Sequence, residues 1–434
     1  MFEQLFDLSR SLYQGVFNMI MKNDLGLDVI VIGGGPAGSS TATILAQHGL
    51  KVRLFEREKG ARFHIGESLM PDTYWTLRRM GVIEKIKASA FTKKYSVQFV
   101  TDTGKESQPF YFFENNPHEC AQTWQVVRSE FDKMLLDNAS DLGVDVCYGC
   151  RVLDAIFEGT RCVGVKVQNP DGSIEEVRAK VVVDASGQSL VIGNRLKIKE
   201  TDPLLKKASI WAYFEGASRE AGLDEGATLV LQTEGKKGWF WYIPLHNNIV
   251  SVGVVSSIDD MFADKLSHEE IFNRELDRCP AAKRRVAAGK RVGGFMSTKD
   301  FSYRCSQVAG DGWVLVGDAF GFLDPIYSSG VFLALKSGEM AADAIAEAIL
   351  KNDLSANQLG TWGPKFVQGM ERMKRLVYAF YEGFSFGAFI RQNPDMKRHV
   401  IDLLVGDVFK DSVDAVVNPM DLMREEMRAM TSQV

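Results

Sequence analysis

Residues 28–38 read Asp-Val-Ile-Val-Ile-Gly-Gly-Gly-Pro-Ala-Gly, and the reading of this stretch decides the fold. The apolar run before the glycines predicts a short strand buried on both faces, as in a parallel sheet. The residues after it, SSTATILAQHG, predict a helix that ends at Gly49. KVRLFE then predicts a second strand closing at Glu56. Gly33 makes the turn, Gly35 lets backbone approach a pyrophosphate, and Gly38 lets helix and strand pack closely. Pro36 and Ala37 open the helix, whose N-terminus faces phosphate. Glu56, about 20 residues on, is placed to take ribose hydroxyls, with Arg57 beside it. A lone GxGxxG is weak evidence; strand, helix, second strand and terminal acid together predict a dinucleotide site.

Composition bounds the rest. The chain has 434 residues, 45% hydrophobic and 25% charged, which is ordinary for a globular protein. A net charge of -5 without a basic cluster argues against nucleic-acid binding. No apolar run reaches the roughly 18 residues needed to span a bilayer. The six cysteines include one tight pair, Cys147 and Cys150, which reads as two thiols in a β-segment and suits a reducing cytoplasm. Six scattered histidines propose no metal site. Residues 1–26 carry a helical apolar stripe without a cationic leader, read as an N-terminal helical extension rather than a signal peptide.

Further on, Trp313-Val-Leu-Val-Gly317-Asp318-Ala319 reads as another apolar strand ending in Gly-Asp. Arg128 opens the segment RSEFDKMLLDNA, and DASGQS follows the apolar run at 180–183. Together with the glycine fingerprint these segments resemble the FAD-dependent monooxygenase superfamily. That resemblance implies FAD rather than NAD, with Gly317 and Asp318 at the ribityl chain and Arg128 near the cofactor. No second GxGxxG stands in a strand-helix setting, so reduced flavin is expected from a separate reductase.

Two segments narrow the reading. Residues 239–244 are Trp-Phe-Trp-Tyr-Ile-Pro, and period two turns both indoles to one face of a strand. Residues 322–330, FLDPIYSSG, precede a long helical stretch, and a loop at a helix N-terminus makes an anion site. WxWxIP and FxxPxxSxG both resemble signatures of the flavin-dependent halogenase family. The resemblance implies that amides at Ser329 and Gly330 hold chloride or bromide beside the flavin, with Pro325 and Gly330 also against the cofactor. It implies that Trp239 and Trp241 keep organic substrate away from the oxidising flavin, so that halide takes the oxygen and leaves as hypohalous acid. It also implies a relay lysine. FTKKYSVQFV resembles that segment with Lys94 in the lysine position, and a strand is expected to start just after it. An ammonium there could polarise hypohalous acid, and a neutral amine could form a haloamine; the sequence leaves both open. Glu67 and Ser68, in FHIGESLMP, resemble a further family segment close to the flavin ring.

One departure bears on substrate. The tryptophan-halogenating branch carries a glutamate immediately before the first Ser of the loop; here the residue is Tyr327. Without that carboxylate an electron-rich phenol, resorcinol or pyrrole is expected, free or tethered to a carrier protein. The expected architecture is α/β: a Rossmann-like FAD-binding domain over 27–375, interleaved with a largely antiparallel substrate sheet (about 90–125 and 200–300), and a helical C-terminal segment over 376–434. A homodimer is compatible with this chain. The rival readings are an aromatic hydroxylase or prenyl-chain reductase on the same scaffold, and a flavin-binding protein without catalysis.

Overall fold

The structure, a computed structural model, describes residues 26–60, 63–114, 116–299 and 301–431. The expected N-terminal helix therefore lies, but for Gly26, outside the described residues. The first strand, Val29–Ile32, is buried along its whole length and sits inside a six-stranded sheet. It pairs in parallel with Val181–Asp184 on one side and Val52–Glu56 on the other. Trp313–Leu315 and Asp145–Tyr148 extend the parallel set, and Ala309–Gly310 adds an antiparallel edge. The fingerprint helix Pro36–Gln47 and the long helix Ser329–Lys351 pack against each other. Parallel strands need such crossovers, which is why this sheet reads as apolar runs rather than alternation.

A seven-stranded sheet forms the second layer, in the order Lys290–Lys299, Lys207–Glu215, Ile249–Ser257, Gly238–Pro244, Thr228–Gln232, Ser96–Val100, Phe110–Tyr111. All its pairings are antiparallel except that of Thr228–Gln232 with Ser96–Val100. Period two divides its strands cleanly. Trp239, Trp241 and Ile243 face the nucleotide-binding layer with Trp211 and Val230. Phe240 and Tyr242 point the other way, with Ile210, Phe214 and Val252, onto Phe272 of the helix His268–Asp277. Truncating an aromatic in such a packed layer costs about 3–5 kcal/mol.

Besides a small sheet of Lys199–Thr201, Tyr303–Cys305 and Gly321–Phe322, a three-stranded antiparallel sheet over residues 151–178, unforeseen from the sequence, stands beside the cofactor layer. Cys147 and Cys150 are free thiols beside it; burial pushes Cys147 up to about 11, which disfavours a reactive thiolate at neutral pH. The C-terminal helices include Gly363–Tyr381, Lys397–Val405 and Asp414–Thr431. Arg372 clamps Asp414 with two bonds, Nε–Oδ1 2.8 Å and Nη2–Oδ2 2.6 Å. Arg424 grips Glu382 the same way, at 2.8 and 2.9 Å. These bidentate pairs tie the Gly363–Tyr381 helix and the residue after it to the Asp414–Thr431 helix.

Candidate active site

At the C-terminal end of the first strand the glycines meet space that no side chain could share. A Cβ on Gly38 would stand 1.9 Å from the Gly33 carbonyl oxygen, and Gly33 itself has φ +97°. Gly35 is extended and directly precedes Pro36, the first residue of the helix; Pro36, Ala37 and Gly38 are all buried. Glu56 accepts the Gly34 amide at 2.8 Å and the Glu58 amide at 3.0 Å. The acid thus also braces the glycine loop it faces. Arg57 is exposed, and its guanidinium meets Glu58 at 3.2 Å; it stands at the rim.

Gly317 brings the second loop to the same place. Its amide donates to Ser337 Oγ at 2.8 Å, and a Cβ there would lie 2.7 Å from the Ala37 Cβ. Asp318 follows, its carboxyl pushed up by burial to about 6 against the opposing charge of Arg128. Arg128, the first residue of the helix Arg128–Asp141, is buried and holds Asp132 at 2.8 and 3.0 Å. Its Nη1 donates to the Ile65 carbonyl at 2.9 Å. The residues present therefore fit FAD: two glycine loops too tight for side chains, a helix N-terminus, and the Glu56, Asp318 and Arg128 charges around it.

The tryptophans form a wall. Trp239 and Trp241 are buried on one face with ring centroids 6.3 Å apart. A third indole, Trp211, stands 6.2 Å from Trp241, and Phe63 stacks on Trp211 at 6.5 Å. Gly253 lies between them in register with both Trp211 and Trp241. A Cβ on Gly253 would meet the Trp241 ring at 2.2 Å, so the indole lies directly over glycine backbone. Trp241 Nε1 donates to Ser251 Oγ at 3.1 Å, and Trp239 Nε1 donates to Tyr381 Oη at 3.1 Å. Tyr381 in turn donates to Asp324 Oδ2 at 2.9 Å.

Asp324 belongs to the loop ahead of the long helix. Its Oδ1 accepts the Ile326 amide at 3.0 Å and so shapes the turn Pro325–Tyr327. Ser328 then takes the left-handed region at φ +57°, and the helix starts at Ser329. Ser329 and Gly330 are its first two residues, whose amides have no intrahelical acceptor. Gly330 packs under the Phe322 ring, which a Cβ would meet at 2.9 Å. Tyr327 is buried with its hydroxyl 3.4 Å from the Leu376 carbonyl and its ring against Phe380.

Glu67 and Ser68 divide the site between them. Glu67 is buried, accepts a short hydrogen bond from Tyr213, and its Oε2 has no hydrogen-bond donor. Burial pushes it up to about 7, opposed by the Tyr213 and Ser251 hydroxyls and by Arg128. Ser68 turns the other way, to Lys94 Nζ at 2.8 Å. Lys94 also donates to the Leu69 carbonyl at 3.0 Å and lies 5.5 Å from the Phe112 ring centroid. It is buried, and desolvation alone pushes its amine down to about 7. The strand expected just after Lys94 is there, Ser96–Val100; Lys94 itself closes a further short strand, Thr92–Lys94, which pairs with Thr123–Gln125. That pairing holds the lysine's strand along one edge.

Several residues of the site escaped the sequence reading. Trp211 and Tyr213 form the same W-x-aromatic alternation as Trp239 and Trp241, a signal that was there to be used. Gln125, Thr228 and Asp324 gave none, because single polar residues at strand ends and turns are commonplace.

Comparison with known proteins agrees with this geometry. The sequence profile of the FAD binding domain matches residues 26–356. The chain is 33% identical over 431 residues to the 1H-pyrrole-2-carbonyl-(peptidyl-carrier protein) chlorinase of Pseudomonas fluorescens, spanning 94% of this chain and 95% of that one. It is 33% identical to the corresponding brominase of Pseudoalteromonas luteoviolacea, over 88% of this chain and 92% of that one. Among solved structures, a flavin-dependent brominase superposes with a TM-score of 0.84 at 32% identity, covering 93% of this chain and 99% of that one. Similarity that runs end to end in both sequence and fold, on top of an FAD cradle, means that the chain belongs to the flavin-dependent halogenase family of FAD-dependent oxidoreductases.

Proposed function

We propose that this protein halogenates an electron-rich aromatic ring, passing hypohalous acid to the substrate through Lys94. The observation that carries the reading is the wall of Trp211, Trp239 and Trp241 facing the cofactor layer, with a buried lysine one peptide away from its acid. Bound reduced FAD, with oxygen, supplies the oxidising equivalent that turns halide into hypohalous acid. Gly33, Gly35, Pro36, Ala37, Gly38 and Glu56 hold the adenosine end, with Arg57 at the rim, and Gly317, Asp318 and Arg128 hold the flavin side. Pro325, Ser329 and Gly330 shape the halide pocket, where helix-start amides favour an anion. The indoles exclude organic molecules, so halide is the species that reaches the oxidant. Glu67 stands on the wall side and Ser68 on the lysine side of one extended peptide, which links the two halves of the site.

Tyr327 in place of a carboxylate favours a ring that activates itself through a nitrogen or oxygen lone pair. Pyrrole tethered to a carrier protein is the leading candidate, since the two relatives named for it match this chain over nearly their whole length. Reduced flavin comes from a separate reductase. The test is incubation of purified protein with FAD, a flavin reductase, NADH, oxygen and bromide, offering pyrrole-2-carboxyl groups on a carrier protein beside free pyrroles and phenols. Brominated carrier-bound pyrrole supports the reading; oxygenated product without bromine supports the hydroxylase reading instead.

A further inference from the structure

Lys94 ends a hydrogen-bonded chain whose direction can be worked out. Ser68 Oγ lies 2.8 Å from Lys94 Nζ and 2.9 Å from Thr228 Oγ1. Thr228 Oγ1 lies 2.8 Å from Gln125 Nε2, which is also 2.9 Å from the Gly226 carbonyl oxygen. All four side chains are buried, and among the described residues neither hydroxyl meets a further acceptor.

The two ends of the chain are fixed. A carbonyl can only accept, so Gln125 aims its nitrogen at Gly226 and its second N–H at Thr228. Thr228 Oγ1 accepts there, which sends its own proton to Ser68. Ser68 accepts it and has its proton left for Lys94. A neutral amine takes that proton on its lone pair and still donates to the Leu69 carbonyl. Both hydroxyl protons then have an acceptor. An ammonium has no lone pair. It must donate to Ser68, and one of the two buried hydroxyl protons is left without a partner, which costs about 1–3 kcal/mol.

We infer that Gln125, Thr228 and Ser68 are positioning residues that hold Lys94 as the neutral amine. This rests on the relay role given to Lys94 above and resolves which form of the lysine is poised to act. Desolvation works in the same direction, and no charged side chain opposes it. A neutral amine can take halogen directly: its lone pair forms the N–X bond, the O–X bond of hypohalous acid breaks, and the departing hydroxide leaves with an N–H proton as water. Freeing the lone pair breaks one hydrogen bond and requires no prior deprotonation.

The test reads protonation, not turnover. Full-length protein labelled with 13C at lysine Cε is titrated by NMR, with the Lys94 signal assigned from Lys94→Met. The wild type is expected to titrate near neutrality. Gln125→Glu offers Thr228 an acceptor and reverses the chain, so it is expected to raise the Lys94 midpoint by about one pH unit or more. Thr228→Val leaves Ser68 with only Lys94 to accept its proton and is expected to keep the wild-type midpoint. Added to Gln125→Glu it removes the hydroxyl through which the carboxylate acts and is expected to bring the midpoint back toward wild type, which separates the network from the added charge. An unchanged midpoint in Gln125→Glu, or an equal rise in Gln125→Glu with and without Thr228→Val, with FAD binding intact, overturns the inference. If the midpoints shift as expected but Lys94→Ala still halogenates its substrate, the network stands and the relay reading falls.

Discussion

Two buried groups of opposite type, Glu67 and Lys94, sit on either side of the Glu67–Ser68 peptide, each moved by burial to about 7. Between pH 4.5 and 7 folded Glu67 keeps a proton that the unfolded chain has lost. Stability from this group therefore falls as pH rises through that window, by at most on the order of 3 kcal/mol. Urea melts of Glu67→Gln between pH 5 and 7.5 are expected to show a flatter dependence than wild type. Lys94 works in the other window: from about 7 to 10.5 the unfolded lysine keeps a proton that the folded one has shed, so stability from it rises with pH. Lys94→Arg keeps a charge that cannot be given up. It is expected to lower halogenation by on the order of 100-fold while FAD binding, followed by flavin absorbance, is retained. The lysine itself was legible because its segment resembles one already known. Its partners were not, since Gln125 and Thr228 reach it only through pairings made in three dimensions.

Among elements, the strand Gly238–Pro244 is the one to which the proposed mechanism gives the selectivity. Its alternation was readable: the WxW spacing put both indoles on one face, and there they are. What spacing left out was the support from other elements, namely Trp211, the glycine between the indoles, and the Tyr381–Asp324 bond that ties Trp239 to the loop ahead of the long helix. Gly253→Ala puts a methyl into the Trp241 ring and is expected to cost about 1–3 kcal/mol. It is also expected to shift product from halogenated toward oxygenated species, read as a mass-spectrometric ratio. Tyr381→Phe removes the link between wall and loop and is expected to raise the bromide KM with little change in the KM for aromatic substrate. At the glycine fingerprint, Gly38→Ala drives a Cβ into the Gly33 carbonyl and is expected to weaken FAD binding at least about tenfold, by fluorescence titration.

For the whole molecule, the cofactor layer was legible from residue 28 onward because parallel strands flanked by helices leave continuous apolar runs and glycine-tight turns. The antiparallel substrate layer was visible only in outline. The 151–178 sheet was missed, since polar, half-exposed strands carry weak periodicity. The C-terminal helices are held to one another by long-range pairs such as Arg372 with Asp414, which no local pattern announces. In the proposed mechanism oxidant is made on one side of the tryptophan wall and delivered on the other through one lysine. The most direct measurement compares wild type and Lys94→Ala under reduced flavin, oxygen and bromide. Substrate bromination is followed by its isotope doublet, and free hypobromous acid by a small diketone trap. Wild type is expected to brominate the substrate, while Lys94→Ala still brominates the trap but not the substrate. Equal substrate bromination by both proteins would contradict the relay.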